Sequence, residues 1–187
     1  MASAQWADGL FLKIVNVVAY FLSSWFNIYS IVSPQSSIGS VKQTYFTPAS
    51  SVFFIWPIIH VLLFGTVIYQ FTSPQAKVVV VDGISWRLPF LLFINTFLFI
   101  SWDKPDYVTA FVLSPIATLV AWRIYLTVRE IRSPGSWGDE LFVHLPFSMW
   151  HAWTNVVVLL TAFQLLGVDA TEHLAGAWTK IFVFIAL

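Results

Sequence analysis

The sequence has little charge. Only 10% of its 187 residues are Asp, Glu, Lys or Arg, whereas 58% are hydrophobic, and the mean hydropathy is +0.79. Soluble domains carry about 25% charged residues, because water has to solvate their exterior. The composition therefore predicts an integral membrane protein whose exterior contacts the lipid bilayer.

The sequence also has no cysteine, which excludes disulfides, thiolate metal sites and a cysteine nucleophile. The formal net charge is zero and the basic residues are scattered, so no basic surface for nucleic acid is expected. Gly-rich phosphate loops, nucleophile elbows and His-Glu-x-x-His elements are absent as well. We therefore expect no nucleic-acid partner and no metal site, and we assign no catalytic residue.

Long charge-free intervals predict transmembrane helices, since about 20 apolar residues are needed to cross the hydrocarbon core. Five spans are predicted at residues 10–32, 52–71, 88–102, 107–128 and 142–166. A sixth apolar run, 175–187, is either interfacial or the start of a truncated span. The apolar runs are continuous, whereas membrane strands alternate. The predicted fold is an all-α polytopic bundle that forms a single domain over residues 1–187.

Basic residues near the span ends are distributed unevenly. One side would carry Lys13, Lys77, Arg87, Arg123, Arg129 and Arg132, and the other Lys42, Lys104 and Lys180. Cytoplasmic loops carry the excess of Lys and Arg. The distribution predicts a cytoplasmic N-terminus and leaves the identity of the membrane open.

The most distinctive segment opens the second span and runs from Tyr45 to His60. Phe53, Trp56 and His60 are three and four residues apart, so they share one helical face. Pro57 frees a backbone carbonyl and bends the helix. The spacing predicts an aromatic wall with one titratable group, which either lines a ligand cavity or packs against neighbouring helices.

Histidines mark the fifth span. His144 and His151 are two turns apart, about 10 Å by helical rise, which is too far for both to bind one metal ion. An intramembrane histidine normally faces the bundle interior, because exposing a polar group to lipid is costly. His60 and His151 are therefore candidate pocket residues, and a single histidine could also bind a haem iron.

These motifs resemble the tryptophan-rich sensory protein family, TspO and the mitochondrial translocator protein, and especially its longer divergent branch. The resemblance spans residues 45–166 and is carried by Phe46-Thr47-Pro48-Ala49, Ile55-Trp56, Tyr69-Gln70, Asn95, Trp102, Leu145-Pro146-Phe147-Ser148 and Trp153. His60 stands where the family usually has tyrosine, and Ala152 where it usually has glycine.

The resemblance implies a five-helix bundle that binds a tetrapyrrole, a sterol or a related hydrophobic molecule, as a receptor or carrier. The loop before the second span, residues 33–49, would form a lid. The predicted ligand-binding residues are Phe53, Trp56, His60, Asn95, Trp150, His151 and Trp153. No resident cofactor is expected, haem or porphyrin would be a ligand, and a homodimer is compatible with these observations.

An enzyme remains the second hypothesis. Asp103 and Asp106 flank the short turn after the third span, and a pair of carboxylates can perform acid and base chemistry. The substrate would be a lipid or an isoprenoid. The position of the two carboxylates in a tight interfacial loop favours simple solvation over this role, and a purely structural subunit is a third possibility.

Overall fold

The computed structural model describes residues 9–32, 42–131, 136–166 and 176–186. The helices are α1 (Leu10–Val32), α2 (Ile55–Tyr69), α3 (Pro74–Ala76), α4 (Arg87–Asp103), α5 (Tyr107–Glu130), α6 (Trp137–Asp139), α7 (Leu145–Leu166) and α8 (Ala177–Ala186). A 3₁₀ turn, Ser50–Phe54, precedes α2, and π-helical stretches at Lys77–Ile84 and Glu140–His144 follow α3 and α6. The described residues contain no strand, which confirms the all-α prediction.

The predicted multi-pass architecture is confirmed, with four or five spans among the described residues. Four helical segments are long and apolar enough to cross a bilayer: Leu10–Ile28, Ser51–Tyr69, Tyr107–Glu130 and Trp137–Leu166. The fifth candidate is a helix pair, Pro74–Ile84 and Arg87–Asp103, bent by 68°. Ser85 lies at the bend with φ of 54°, a left-handed conformation that a helix cannot continue through. The sixth apolar run, residues 175–187, contains α8, which is 10 residues long.

The five long helices form a closed ring. Helix α5 packs between α4 and α7, α1 packs against α4 and α2, and α2 packs against α7. Small side chains on the buried face of α5, Ala110, Ser114, Ala117 and Ala121, let the neighbouring backbones approach closely. Large apolar side chains such as Val61, Phe93 and Leu119 point outward. This apolar exterior fits lipid as the surrounding solvent.

A buried amide fastens α1 to α2. The side chain of Gln70 accepts a hydrogen bond from Asn16 Nδ2 (3.0 Å) and donates to the carbonyls of Lys13 (3.2 Å) and Val67 (2.9 Å). Lys13, Asn16 and Gln70 are all buried, and the Lys13 ammonium lies 5.5 Å from the centre of the Phe71 ring. The Gln70 of the Tyr-Gln motif therefore has a structural role at the helix end.

Helix α2 is also fastened to the start of the last long helix. Phe142 lies in the π-helical stretch Glu140–His144, and its carbonyl accepts a hydrogen bond from Thr66 Oγ1 (2.6 Å). The Phe142 ring covers Gly65 so closely that a Cβ at this glycine would overlap the ring. One helical turn further, the Tyr69 hydroxyl contacts Ser136 Oγ at 3.1 Å. The C-terminal half of α2 is thus held by specific polar and steric contacts.

Candidate ligand-binding site

An aromatic cluster joins α2, α4 and α7 in the bundle interior. Trp56 is 6% exposed, and its ring centre lies 4.8 Å from His60, 5.2 Å from Phe99 and 6.3 Å from Trp150. Trp150 is completely buried. The structure therefore brings together Trp56, His60 and Trp150, three of the residues predicted from the sequence.

A second aromatic pair extends this cluster towards the N-terminal end of α2. Phe53 in the 3₁₀ turn packs edge-on against Trp153, with ring centres 5.7 Å apart. Trp153 lies one turn after Trp150, and Phe53 one turn before Trp56, so the two pairs stack along the same groove between helices. Phe53 is partly exposed, whereas Trp153 is buried.

Asn95 approaches the cluster from α4. It is 3% exposed and lies one turn before Phe99, the α4 residue that contacts Trp56. Residues four apart share a helical face. Asn95 thus belongs to the same interior face as the aromatic rings.

Helix α1 supplies two residues that the sequence did not identify. The Tyr20 hydroxyl donates a hydrogen bond to the His60 carbonyl (2.8 Å), and Ser24 Oγ lies 3.4 Å from His60 Nδ1. Both are polar side chains, four residues apart, and they share one face of a span that is mostly apolar. That spacing was the available signal, since polar groups inside a membrane helix normally face the bundle interior.

Four buried polar atoms in this region have no hydrogen-bond partner among the described residues: Trp56 Nε1, His60 Nε2, Asn95 Nδ2 and Trp150 Nε1. Buried polar groups are almost always paired, and leaving one unpaired costs about 1–3 kcal/mol. Two indole N–H groups and one amide are donors, while His60 Nε2 is a donor or acceptor according to its tautomer. The aromatic cluster therefore contains three unpaired N–H donors beside the His60 ring.

His151 lies apart from this cluster. Its ring stacks on Tyr125 of α5, with centres 5.2 Å apart and planes 21° from parallel. Its Nδ1 atom also has no partner in the described part of the chain. The structure therefore places His151 on the α5 side of α7, while Trp150 faces α2.

The described part of the predicted lid covers one end of the bundle. Residues 33–41 of this loop lie outside the described residues. Arg132, one of the basic residues assigned to a span end, lies outside them as well. Lys42 donates hydrogen bonds from its backbone N–H to the Tyr107 hydroxyl (3.3 Å) and from Nζ to the Gln164 carbonyl (3.2 Å). Phe46 stacks on Phe163, with ring centres 5.1 Å apart. This segment is anchored to α5 and α7, at the end of the bundle nearer Phe53 and Trp153.

The carboxylates considered for acid and base chemistry lie at the same end. Asp106 caps α5, because its side chain accepts a hydrogen bond from the Thr109 N–H (3.1 Å). Its hydrogen bonds with Thr109 lower the pKa of the Asp106 carboxyl group. Capping accounts for this residue without catalysis. Within the described residues, no group of three or more His, Asp or Glu side chains could hold a metal ion.

The helical ring and its interior cluster define an all-α, multi-pass membrane protein with unpaired hydrogen-bonding atoms between its helices. A family model described as TSPO-like protein matches residues 13–187, and the chain belongs to that family. The comparison with curated proteins gave no match, and neither did the comparison with solved structures. The family prediction is confirmed, and the match extends over α1 and α8 as well as the motifs that first indicated it.

Proposed function

We propose that this protein binds a hydrophobic small molecule between α2, α4 and α7 and acts as its receptor or carrier. The observation that carries this proposal is the set of unpaired buried atoms on Trp56, His60, Asn95 and Trp150. A ligand that supplies acceptors to these atoms would remove their desolvation cost, and the surrounding rings would bury its apolar part. Such a combination of apolar lining and a few polar groups is typical of small-molecule sites.

The donor content favours one class among the expected ligands. Three unpaired N–H donors suit a carboxylate, which offers two oxygens and accepts charge-assisted hydrogen bonds. Tetrapyrroles with acid side chains meet this requirement, and so do other apolar acids. A sterol offers a single hydroxyl and would leave part of the donor set unpaired. We therefore favour an apolar carboxylic acid, with a tetrapyrrole as the leading example.

A haem would use the same site in a different way. His60 Nε2 is unpaired, while its Nδ1 lies 3.4 Å from Ser24 Oγ. Histidine ligands commonly have their second nitrogen oriented by a hydrogen-bonding partner. His60 would then be the residue that holds the iron, and the tryptophan rings would pack against the macrocycle.

The test is a titration of the purified protein with protoporphyrin, followed by the shift of the porphyrin absorption band, with protein-free micelles as the blank. Wild-type protein should bind saturably. Trp56→Phe keeps a ring but removes the N–H donor, so we expect binding to weaken by about 10- to 100-fold, the value of one charge-assisted hydrogen bond. Asn95→Leu should act in the same direction.

The matched control is Trp25→Phe. Trp25 lies on α1 with 69% of its surface exposed, where it faces the lipid. The same chemical change there should leave the affinity within about twofold. Absence of saturable binding, or equal losses in the two tryptophan variants, would refute the proposed site. His60→Ala separates the ligand classes, since it should abolish a haem spectrum typical of histidine ligation and weaken metal-free porphyrin binding only moderately.

A further inference from the structure

A cleft lies at the opposite end of α5 from the anchored segment 42–49. It has a volume of about 390 Å³ and is formed by the last two turns of α5 and the segment that leads from α6 into α7. Volumes of roughly 300–1,000 Å³ are usual for small-molecule sites. Neither the aromatic cluster nor its unpaired atoms contribute to this cleft, so it constitutes a separate location.

Several polar side chains line this cleft. The Tyr125 hydroxyl, the Arg129 guanidinium and the His144 ring make no hydrogen bond or ion pair with any described residue. Glu140 also lines the cleft, but it already has an interaction partner. Arg129 thus supplies a permanent positive charge, beside a phenol and an imidazole that can donate hydrogen bonds.

The apolar part of the lining lies on the bilayer side. Leu141 and Leu145 line the cleft and are 43% and 41% exposed, so their outer surfaces continue into the lipid-facing exterior. Arg129 lies in the last turn of α5, and Trp137 at the start of the next helical segment is 92% exposed. Arginine and tryptophan at helix ends are typical of the headgroup level. The cleft therefore combines a cationic group at the helix end with an apolar lining that continues sideways into the lipid-facing exterior.

We propose that this cleft binds an amphiphile with an anionic head, a carboxylate or a phosphate monoester, and an alkyl chain. The head contacts Arg129, with hydrogen bonds from Tyr125 and His144. The chain runs over Leu141 and Leu145 into the bilayer. Guanidinium groups recognise carboxylates and phosphates through paired hydrogen bonds, and that interaction is strong where water is partly excluded. This site does not depend on the function proposed for the aromatic cluster.

The test measures binding of four probes to the full chain in a non-ionic detergent by native mass spectrometry: laurate, lauroyl lysophosphatidate, lauroyl lysophosphatidylcholine and inorganic phosphate. Laurate and lysophosphatidate should bind, and Arg129→Gln should weaken lysophosphatidate binding at least tenfold. The control is Arg123→Gln. Arg123 is also an exposed arginine of α5, but it packs on Trp122 outside the cleft, so its removal should change affinity less than twofold.

Several results would overturn the proposal. Equal losses in the two arginine variants would show a general charge effect. If lysophosphatidylcholine binds as tightly as lysophosphatidate, and Arg129→Gln does not change its affinity, the cleft is a groove for neutral lipid. Inorganic phosphate binding as tightly as lysophosphatidate would assign the cleft to a soluble anion, because the chain should add at least tenfold.

Two further variants keep the test decisive. Tyr125→Phe removes only the hydroxyl group, so it should fold even if Arg129→Gln does not, and it should weaken lysophosphatidate binding severalfold. If Arg129→Gln does not fold, unchanged lysophosphatidate binding in Tyr125→Phe would refute the site. Trp56→Phe should leave lysophosphatidate binding unchanged while it weakens porphyrin binding, so failure of either site is recognised separately.

Discussion

Replacing Gln70 by leucine should loosen the α1–α2 contact by an amount that the hydrogen bonds define. The variant loses the bonds from Asn16 Nδ2 and to the Lys13 carbonyl, the two that join different helices. Interhelical hydrogen bonds in membranes are worth about 0.6 kcal/mol on average and up to about 1.7. The Asn16 Oδ1 atom already has no partner among the described residues, so the variant leaves both polar atoms of a buried amide unpaired. We expect a loss of about 1–3 kcal/mol.

The assay is reversible unfolding in mixed micelles, carried out as a double-mutant cycle. Asn16→Leu combined with Gln70→Leu replaces both partners by apolar groups, which can be nearly neutral. The double variant should therefore be more stable than Gln70→Leu alone. Asn155→Leu is the control, because Asn155 is exposed and, among the residues that the structure describes, its side chain bonds only to the His151 carbonyl of its own helix. A double variant less stable than both single variants, or a Gln70→Leu loss no greater than that of the control, would refute this explanation.

Three more predictions follow from contacts elsewhere in the bundle. Gly65→Val should destabilise the protein by about 1–3 kcal/mol through overlap with the Phe142 ring, and Phe142→Ala should recover part of that loss in unfolding experiments. The pKa of Asp106 is lowered, so its ionised side chain caps and stabilises α5 at neutral pH, and this stabilisation is lost as the pH falls through the lowered pKa. Asp106→Asn retains a capping oxygen that does not titrate. The variant should therefore show a smaller drop in melting temperature between pH 7 and pH 3 than the wild type. Phe46→Ala removes the stack on Phe163 and should raise the rate of limited proteolysis within residues 42–49, whereas an unchanged rate would show that this stack does not anchor the segment.

The span prediction succeeded where charge-free intervals were long. Helix α1 covers residues 10–32, as predicted, and α4 differs from the predicted third span by one residue at each end. The helical segment Pro74–Ile84 was not predicted, because Lys77 and Asp82 interrupt the apolar run. In the structure these residues form an ion pair at 3.5 Å, five residues apart. In a π-helical stretch, residues five apart lie on the same face. The α-helical periodicity used for the prediction does not place Lys77 and Asp82 together in this way.

The sequence predicts which residues of one helix share a face, but it does not predict which faces of different helices meet at the site. The shared face of Phe53, Trp56 and His60 followed from spacing alone, whereas the contribution of Tyr20 depends on how α1 packs against α2. Trp150 and His151 were both predicted to be ligand-binding residues, His151 because an intramembrane histidine normally faces the bundle interior. Successive residues on a helix point about 100° apart, however, so they face different helices.

Helix α2 is held differently at its two ends. Thr66, Tyr69 and Gln70 fasten its C-terminal half to neighbouring elements through hydrogen bonds, which require a defined geometry. Around Trp56 the helix is held mostly by ring contacts, which tolerate sliding and tilting, together with the bond from Tyr20 to the His60 carbonyl. Trp56 lies ten residues from Thr66, about 15 Å along the axis, so a tilt of about 10° about the fastened end moves the indole by nearly 3 Å. Hydrogen bonds therefore fix the C-terminal half of α2, whereas the position of the half that carries Trp56, and of residues 42–54 that precede it, depends mainly on how the aromatic rings pack.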